Sequence, residues 1–162
     1  MPEMTLAQAS EWREVLRREG AVVVWTNGCF DLLHPGHIQF LTEARSLGDA
    51  LIVGVNGDES VRGLKGQGRP FIPVRGRSDM LVALRCVDAV VVLQDTVPIP
   101  ELQVLTPDIF CKDSNYTLDA LHERSTVEGF GGRIVLLPRR PWSTTALSSM
   151  IADRPLPNGS PW

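Results

Sequence analysis

Residues 26–37, T-N-G-C-F-D-L-L-H-P-G-H, decide how this chain reads. An apolar, valine-rich run at 21–25 precedes them, and an amphipathic run begins at Ile38. That order predicts a buried strand, a glycine-bearing loop and a helix. His34 and His37 sit three residues apart where the loop becomes the helix, which puts both imidazoles on roughly one side. A helix start also presents free backbone N–H groups and the positive end of a dipole, and both favour an anion. Gly28 and Gly36 let the backbone come close to a ligand. The stretch therefore predicts a phosphate site with two imidazole donors. Half of a zinc site is the competing reading. Cys29 is nearby, but no local set of cysteine, histidine or carboxylate ligands completes it, so no metal ligand is assigned.

Working outward, the chain alternates strands and helices. Leu6, Ala9, Trp12, Val15 and Leu16 line one face of a helix over 5–19, a packing or dimerising element. Ile38, Leu41, Ala44 and Leu47 recur at helical spacing up to Gly48, and 49–58 reads as a second buried strand. Strand, helix and strand within about forty residues form a parallel crossover unit. The next stretch, about 60–77, carries Arg62, Lys65, Arg69, Arg75 and Arg77 among glycines and prolines. It reads as a basic loop able to close over a polyphosphate. A helix over 78–86, a third strand over 87–93 and a short helix over 99–105 follow. A fourth strand over 108–112 leads to a polar turn, then a helix over 117–129 and a fifth strand over 133–137. Ser143, Thr144 and Thr145 precede the apolar residues Ala146, Leu147, Met150 and Ile151, which marks another helix start. With Arg139 and Arg140 just before it, this start is a candidate second anion site. The end of the chain, 154–162, reads as a flexible tail.

These elements predict an α/β fold: a Rossmann-like doubly wound sheet of about five mainly parallel strands, with helices on both faces. Ligands in such sheets bind beyond the carboxyl ends of the strands, so the motif loop, Asp58, Lys112 and 143–145 should gather along one edge. No G-x-G-x-x-G follows the first strand, which disfavours a dehydrogenase-type dinucleotide fold. The 162 residues suit one domain with a proper core. A net charge of −3 argues against a general nucleic-acid binder. Three widely spaced cysteines, Cys29, Cys86 and Cys111, read as reduced thiols in a cytoplasmic protein. No signal-peptide pattern and no membrane-length apolar run is present in the sequence.

The motif resembles the signature of the H-x-G-H nucleotidyltransferases, a cytidylyltransferase-like superfamily that includes cytidylyltransferases and sugar-phosphate adenylyltransferases. The resemblance extends over about residues 22–151. V-N-G-D-E-S (55–60), L-K-G-Q-G-R-P-F-I-P (64–73) and T-P-D-I-F-C-K (106–112) are similar to the heptose-1-phosphate adenylyltransferase branch. L-P-R (137–139) ahead of S-T-T (143–145), together with L-R-C-V-D (84–88), looks like the glycerol-3-phosphate cytidylyltransferases. Asp113-Ser114-Asn115 stands where the adenylyl branch has G-G-D or G-x-D. No lysine follows S-T-T in the helix.

The resemblance implies a nucleotidyltransferase domain over 21–153 behind the N-terminal helix of 1–20. The reaction would be NTP plus a phosphate-bearing acceptor, giving a nucleotide-linked product and pyrophosphate. It further implies that His34, His37, Lys65 and Lys112 act in catalysis. Thr26, Asn27, Gly28, Phe30 and Gly36 would contact the nucleotide from the motif. Asp58, Arg139, Ser143, Thr144 and Thr145 would contact it from elsewhere, with Asp58 at the ribose or a metal. Cys29, Asp31, Arg69, Asn115 and Tyr116 would contact the acceptor. Mg2+ would accompany the NTP, held mainly by phosphates and water. The partners implied are ATP or CTP and a small anionic acceptor, with no nucleic acid and no membrane, in a homodimer or larger homo-oligomer. The alternatives that stay open are a cytidylyltransferase acting on a small phosphate, polyol phosphate or phosphonate, and a non-catalytic nucleotide-binding module.

Overall fold

A computed structural model of the chain describes residues 3–138 and 141–152. Arg139, Arg140 and the tail over 154–162 lie outside the described residues. Six strands form one sheet: β1 (Glu3–Met4), β2 (Val23–Gly28), β3 (Ala50–Asn56), β4 (Ala89–Leu93), β5 (Ile109–Asp113) and β6 (Arg133–Leu137). Their order is β1-β4-β3-β2-β5-β6, and every pairing among the described residues is parallel. The helices are α1 (Leu6–Arg18), α2 (Pro35–Arg45), α3 (Asp58–Lys65), α4 (Val74–Val82), α5 (Ile99–Leu105), α6 (Arg124–Gly129) and α7 (Thr144–Ala152). No helix among the described residues is long and apolar enough to cross a membrane.

Alternation along the strands builds two cores. Val23, Trp25, Ile52 and Phe110 face one side, where Ala9 of α1, Leu102 and Leu105 of α5 and Val127 of α6 pack on them. Val24, Leu51, Val53 and Cys111 face the other, against Leu41 and Ala44 of α2 and Leu81 of α4. A period of two with both faces apolar is what a buried parallel strand requires. The doubly wound sheet with helices on both faces is thus the observed architecture. It has six strands rather than five, because the two-residue β1 pairs through Glu3 and Met4 with Val90 and Val91 and carries no periodic signal.

Three expected segments differ. The basic stretch is not a continuous loop, since α3 occupies its first part and α4 begins at Val74 rather than residue 78. Asp58 and Glu59 in the first turn of α3 and Arg62 and Lys65 in its last complement the helix dipole, and Ser60 and Val61 are buried. Those gains outweigh the roughly 1 kcal/mol that Gly63 costs inside a helix. The expected helix over 117–129 breaks into a 3-10 turn (Leu118–Ala120) and α6. The first strand also runs through Thr26, Asn27 and Gly28, which the sequence placed in the loop.

The strand order places the working edge. From β2 the chain proceeds outward through β3 and β4, then returns to lay β5 on the other side of β2. The crossovers therefore diverge between β2 and β5, where Thr26 stands beside Cys111 and donates its hydroxyl to the Cys111 carbonyl, 2.9 Å. Such a divergence leaves a crevice at the carboxyl ends of the strands. Close packing behind it is tight at Gly54, where an added Cβ would lie 2.6 Å from Trp25 Cζ2 and 3.0 Å from Asn27 Cβ. Gly54→Ala is therefore expected to lose about 1–3 kcal/mol by overpacking. Thermal melting by circular dichroism checks this, and an unchanged Tm would contradict the packing.

Candidate active site

The crevice is a cleft of about 690 Å³. β2 ends in it, and the chain then turns sharply to reach α2. Phe30 and Leu32 take left-handed backbone conformations, φ 48° and 50°. Each costs about 1–3 kcal/mol for a residue with a side chain, so the surrounding contacts must hold the turn. Phe30 is buried in the core beneath α2.

Asp31, 3% exposed, supplies most of the remaining ties. Its carboxylate accepts from Arg69 Nη1 at 2.9 Å, from the Phe71 N–H at 3.0 Å and from the Ile72 N–H at 3.1 Å. Its carbonyl accepts from the Thr144 hydroxyl at 2.5 Å. Asp31 thus fastens the motif loop to the 69–72 segment and to α7. Its carboxylate is committed to the wall of the cleft and is not available to the acceptor in the way the sequence implied.

His34 is the N-cap of α2, and Pro35 occupies its first turn. The His34 Nδ1 accepts from the His37 backbone N–H at 3.3 Å. That bond fixes a neutral tautomer with the proton on Nε2. The two imidazoles stack, with ring centroids 3.7 Å apart and planes 15° from parallel. His37 Nδ1 is buried and has no hydrogen-bond partner among the described residues. Burial, then the neighbouring His34 and Lys65, push the His37 pKa from 6.5 to about 4. Burial also lowers His34. Both rings are therefore neutral near pH 7, donors without charge. Gly36 allows their close approach: an added Cβ would lie 3.1 Å from the His34 ring and 3.0 Å from the Trp142 Cβ, so these neighbours would have to shift by a few tenths of an ångström.

The start of α7 faces the same cleft through Ser143, Thr144 and Thr145. Ser143 Oγ accepts from the Ala146 N–H at 3.1 Å, which caps the helix. Two helix N-termini therefore open into one space, as the sequence predicted. Thr26, Asn27, Gly28 and Cys29 line it from β2. Burial raises the Cys29 thiol pKa, so it stays protonated near pH 7. Lys112, Asn115 and Tyr116 line the cleft from the end of β5, and Lys65 and Arg69 from the far side of β3.

The basic residues are mostly spoken for. Arg69 pairs with Asp31, Arg62 with Glu59 and Arg75 with Asp79. Lys65 is exposed in the cleft without an ion pair among the described residues. Arg77, fully buried, donates to the Cys29 carbonyl at 2.6 Å and to Asp58 Oδ1 at 2.7 Å. Asp58 also accepts from the Val74 N–H at 2.8 Å and does not line the cleft. The sequence placed Asp58 at the ribose or a metal; the structure makes it the partner of Arg77 and a cap-like acceptor at the start of α4. Sequence reasoning missed Glu123, His122, Asn56, Thr96 and Trp142, which also line the cleft. Trp142 stands next to the S-T-T stretch and was legible as a neighbour of the site. Glu123 carried no signal, because it comes from a segment read as continuous helix.

A parallel α/β sheet with two helix starts opening at its switch point defines a protein of the Rossmann-like α/β class. The comparisons narrow this. The model of the cytidylyltransferase-like family matches residues 25–150, and the chain belongs to that family of nucleotidyltransferases. It is 46% identical over 142 residues to the bifunctional protein HldE of Syntrophotalea carbinolica, covering 87% of this chain and 29% of that protein. It is 43% identical over 144 residues to the bifunctional protein HldE of Acidiphilium cryptum, covering 88% and 30%. The chain thus spans under a third of the length of these relatives. Among solved structures, a lipopolysaccharide core biosynthesis protein from Thermoplasma volcanium superposes with a TM-score of 0.64 at 25% identity, over 76% of this chain and 100% of that one. The pantoate-beta-alanine ligase of Francisella tularensis shares the fold at 15% identity and a TM-score of 0.61, over 87% and 68%.

The state of His37 is open to measurement. Its folded pKa lies below the unfolded value, so the unfolded chain takes up the proton first on acidification. The stability tied to this group is complete above pH 6.5 and falls as the pH drops toward about 4. An NMR titration should place the His37 midpoint near 4. A midpoint at the ordinary value of 6.5 would contradict the buried, neutral imidazole.

Proposed function

We propose that this chain transfers a nucleoside monophosphate from an NTP, ATP in the first place, to a phosphate-bearing sugar, with release of pyrophosphate. The carrying observation is the pair of helix starts that share one cleft, α2 with its stacked neutral histidines and α7 with Ser143, Thr144 and Thr145. Such a pair fits a triphosphate along its length, with the α-phosphate at one start and the outer phosphates at the other. The similarity to HldE proteins over most of this chain supports a sugar-phosphate acceptor and ATP.

In this reading an oxygen of the acceptor phosphate attacks the α-phosphorus. The new O–P bond forms in line with the bond to the departing pyrophosphate. The acceptor is already ionised near pH 7, so no general base is needed, and no nucleophile of the chain takes part. What remains is to bring two polyanions together and to stabilise charge as pyrophosphate leaves. His34 and His37 supply uncharged donors beside the helix dipole. Lys65, exposed in the cleft, supplies positive charge. Thr26, Asn27 and Gly28 line the cleft floor at the switch point. Among the described residues no group of three or more His, Cys, Asp or Glu could hold a metal ion. A divalent ion, Mg2+ in this proposal, enters as part of the NTP, held by phosphate oxygens and water.

Pyrophosphate release with ATP, CTP, GTP and UTP, each with heptose 1-phosphate, glycerol 3-phosphate and a small phosphonate, tests the proposal. Release with ATP and the sugar phosphate is the expected result. Release with CTP and a smaller acceptor would replace it with the cytidylyl reading, and nucleotide binding without any release would replace it with a binding module. His37→Ala should lower kcat by roughly a hundredfold, the typical cost of one lost transition-state donor. Near-full turnover in that variant would remove His37 from the mechanism.

A further inference from the structure

At the exit of β5 the cleft holds a charge pair that the proposed chemistry does not use. Lys112 and Glu123 are 7% and 6% exposed, and both line the cleft. Lys112 Nζ lies 3.5 Å from Glu123 Oε1, 3.4 Å from the Asn27 carbonyl and 5.3 Å from the centroid of the Tyr116 ring. The resemblance placed Lys112 among the catalytic residues, as a positive charge for the reacting anions. In the structure that charge already faces a carboxylate. A compensated pair has no net charge to draw a phosphate, and its carboxylate repels one.

Three carboxylates line the cleft among the described residues: Asp31, Asp113 and Glu123. Asp31 is filled by Arg69 and two backbone N–H groups. Asp113 Oδ1 accepts from the Asn115 N–H at 2.8 Å. A carboxylate offers about four acceptor positions. The Glu123 carboxylate has one described partner, Lys112, at the long distance of 3.5 Å. Buried ion pairs are costly unless their remaining lone pairs are satisfied, so Glu123 is a strong acceptor held ready for donors that carry no negative charge. Burial lowers the Lys112 pKa while Glu123 raises it, which is consistent with a pair that holds together in the closed site. Asp58, the residue expected at a sugar, is occupied elsewhere by Arg77.

We propose that Glu123, oriented by Lys112, accepts hydrogen bonds from hydroxyls of a bound sugar and is the hydroxyl-reading residue of this cleft. The inference rests on the nucleotidyl-transfer reading and deepens it by naming what the β5 end recognises. Two ligands carry the same chemistry, the ribose 2′,3′-diol of the NTP and the ring hydroxyls of a sugar-phosphate acceptor. Tyr116, packed beside Lys112, forms the adjoining wall.

Calorimetric titration of the full chain separates them. One series is ATP, 2′-deoxy-ATP and 3′-deoxy-ATP. The other is heptose 1-phosphate and its single-deoxy analogues, titrated with α,β-methylene-ATP present. A hydroxyl read by a buried polar group should be worth about ten- to a hundredfold in affinity in one series. Glu123→Gln, which keeps the shape, should shrink that ratio several-fold. Lys112→Met with Glu123→Leu, which removes both charges together, should bring it close to one. Discrimination in the ATP series assigns Glu123 to the ribose, and in the other series to the acceptor. Equal affinities within both series for the unmodified chain would overturn the proposal without any variant. A ratio unchanged by both substitutions would overturn it as well. Pyrophosphate release by the unmodified chain keeps the two ideas apart. Hydroxyl discrimination without turnover leaves the subsite and removes the transfer reading; turnover without discrimination does the reverse.

Discussion

The Asp31 carboxylate is the constraint on which the site depends. It is buried, and a buried carboxylate is tolerated only when donors surround it. Arg69 and the Phe71 and Ile72 N–H groups provide them, and the Asp31 carbonyl accepts from Thr144. One residue thereby joins the turn after β2, the segment between α3 and α4, and the start of α7. The strained backbone at Phe30 and Leu32 on either side of Asp31 is the local cost of presenting the carboxylate and carbonyl in two directions.

A second buried network repeats the device one layer deeper. Arg77 ties the Cys29 carbonyl to Asp58 and to the Ile72 carbonyl. The motif loop is thus anchored twice to the most basic stretch of the chain. That stretch holds its arginines in protein contacts and leaves Lys65 exposed and without an ion pair among the described residues. The cleft is therefore less positive than its sequence composition implies. In the proposed reading, neutral imidazoles, helix N–H groups and hydroxyls would carry the anion-binding role, which suits release of pyrophosphate as well as binding of a triphosphate.

Much of this was legible beforehand for identifiable reasons. The H-P-G-H stretch announced its helix because Pro35 sits in the first turn, where proline is favoured, ahead of an amphipathic run. The succession of strands and helices followed from apolar runs alternating with amphipathic ones. The gathering of 26–37, Lys112 and 143–145 at one edge followed from parallel topology alone. Charge pairing was not legible. Nothing in the spacing of Asp58 and Arg77, or of Lys112 and Glu123, shows that they meet, because each pair closes only when separate segments pack. The helix α3 was hidden by Gly63 and by neighbouring glycines and prolines, whose local preference is outweighed by the burial of Val61.

The central claim is that one triphosphate spans the starts of α2 and α7. A crystal structure with α,β-methylene-ATP tests it most directly. The account predicts phosphate oxygens within hydrogen-bond reach of His37 and of the Ser143–Thr145 turn in the same molecule. A nucleotide whose phosphates lie against β3 and β4, away from both helix starts, would contradict it.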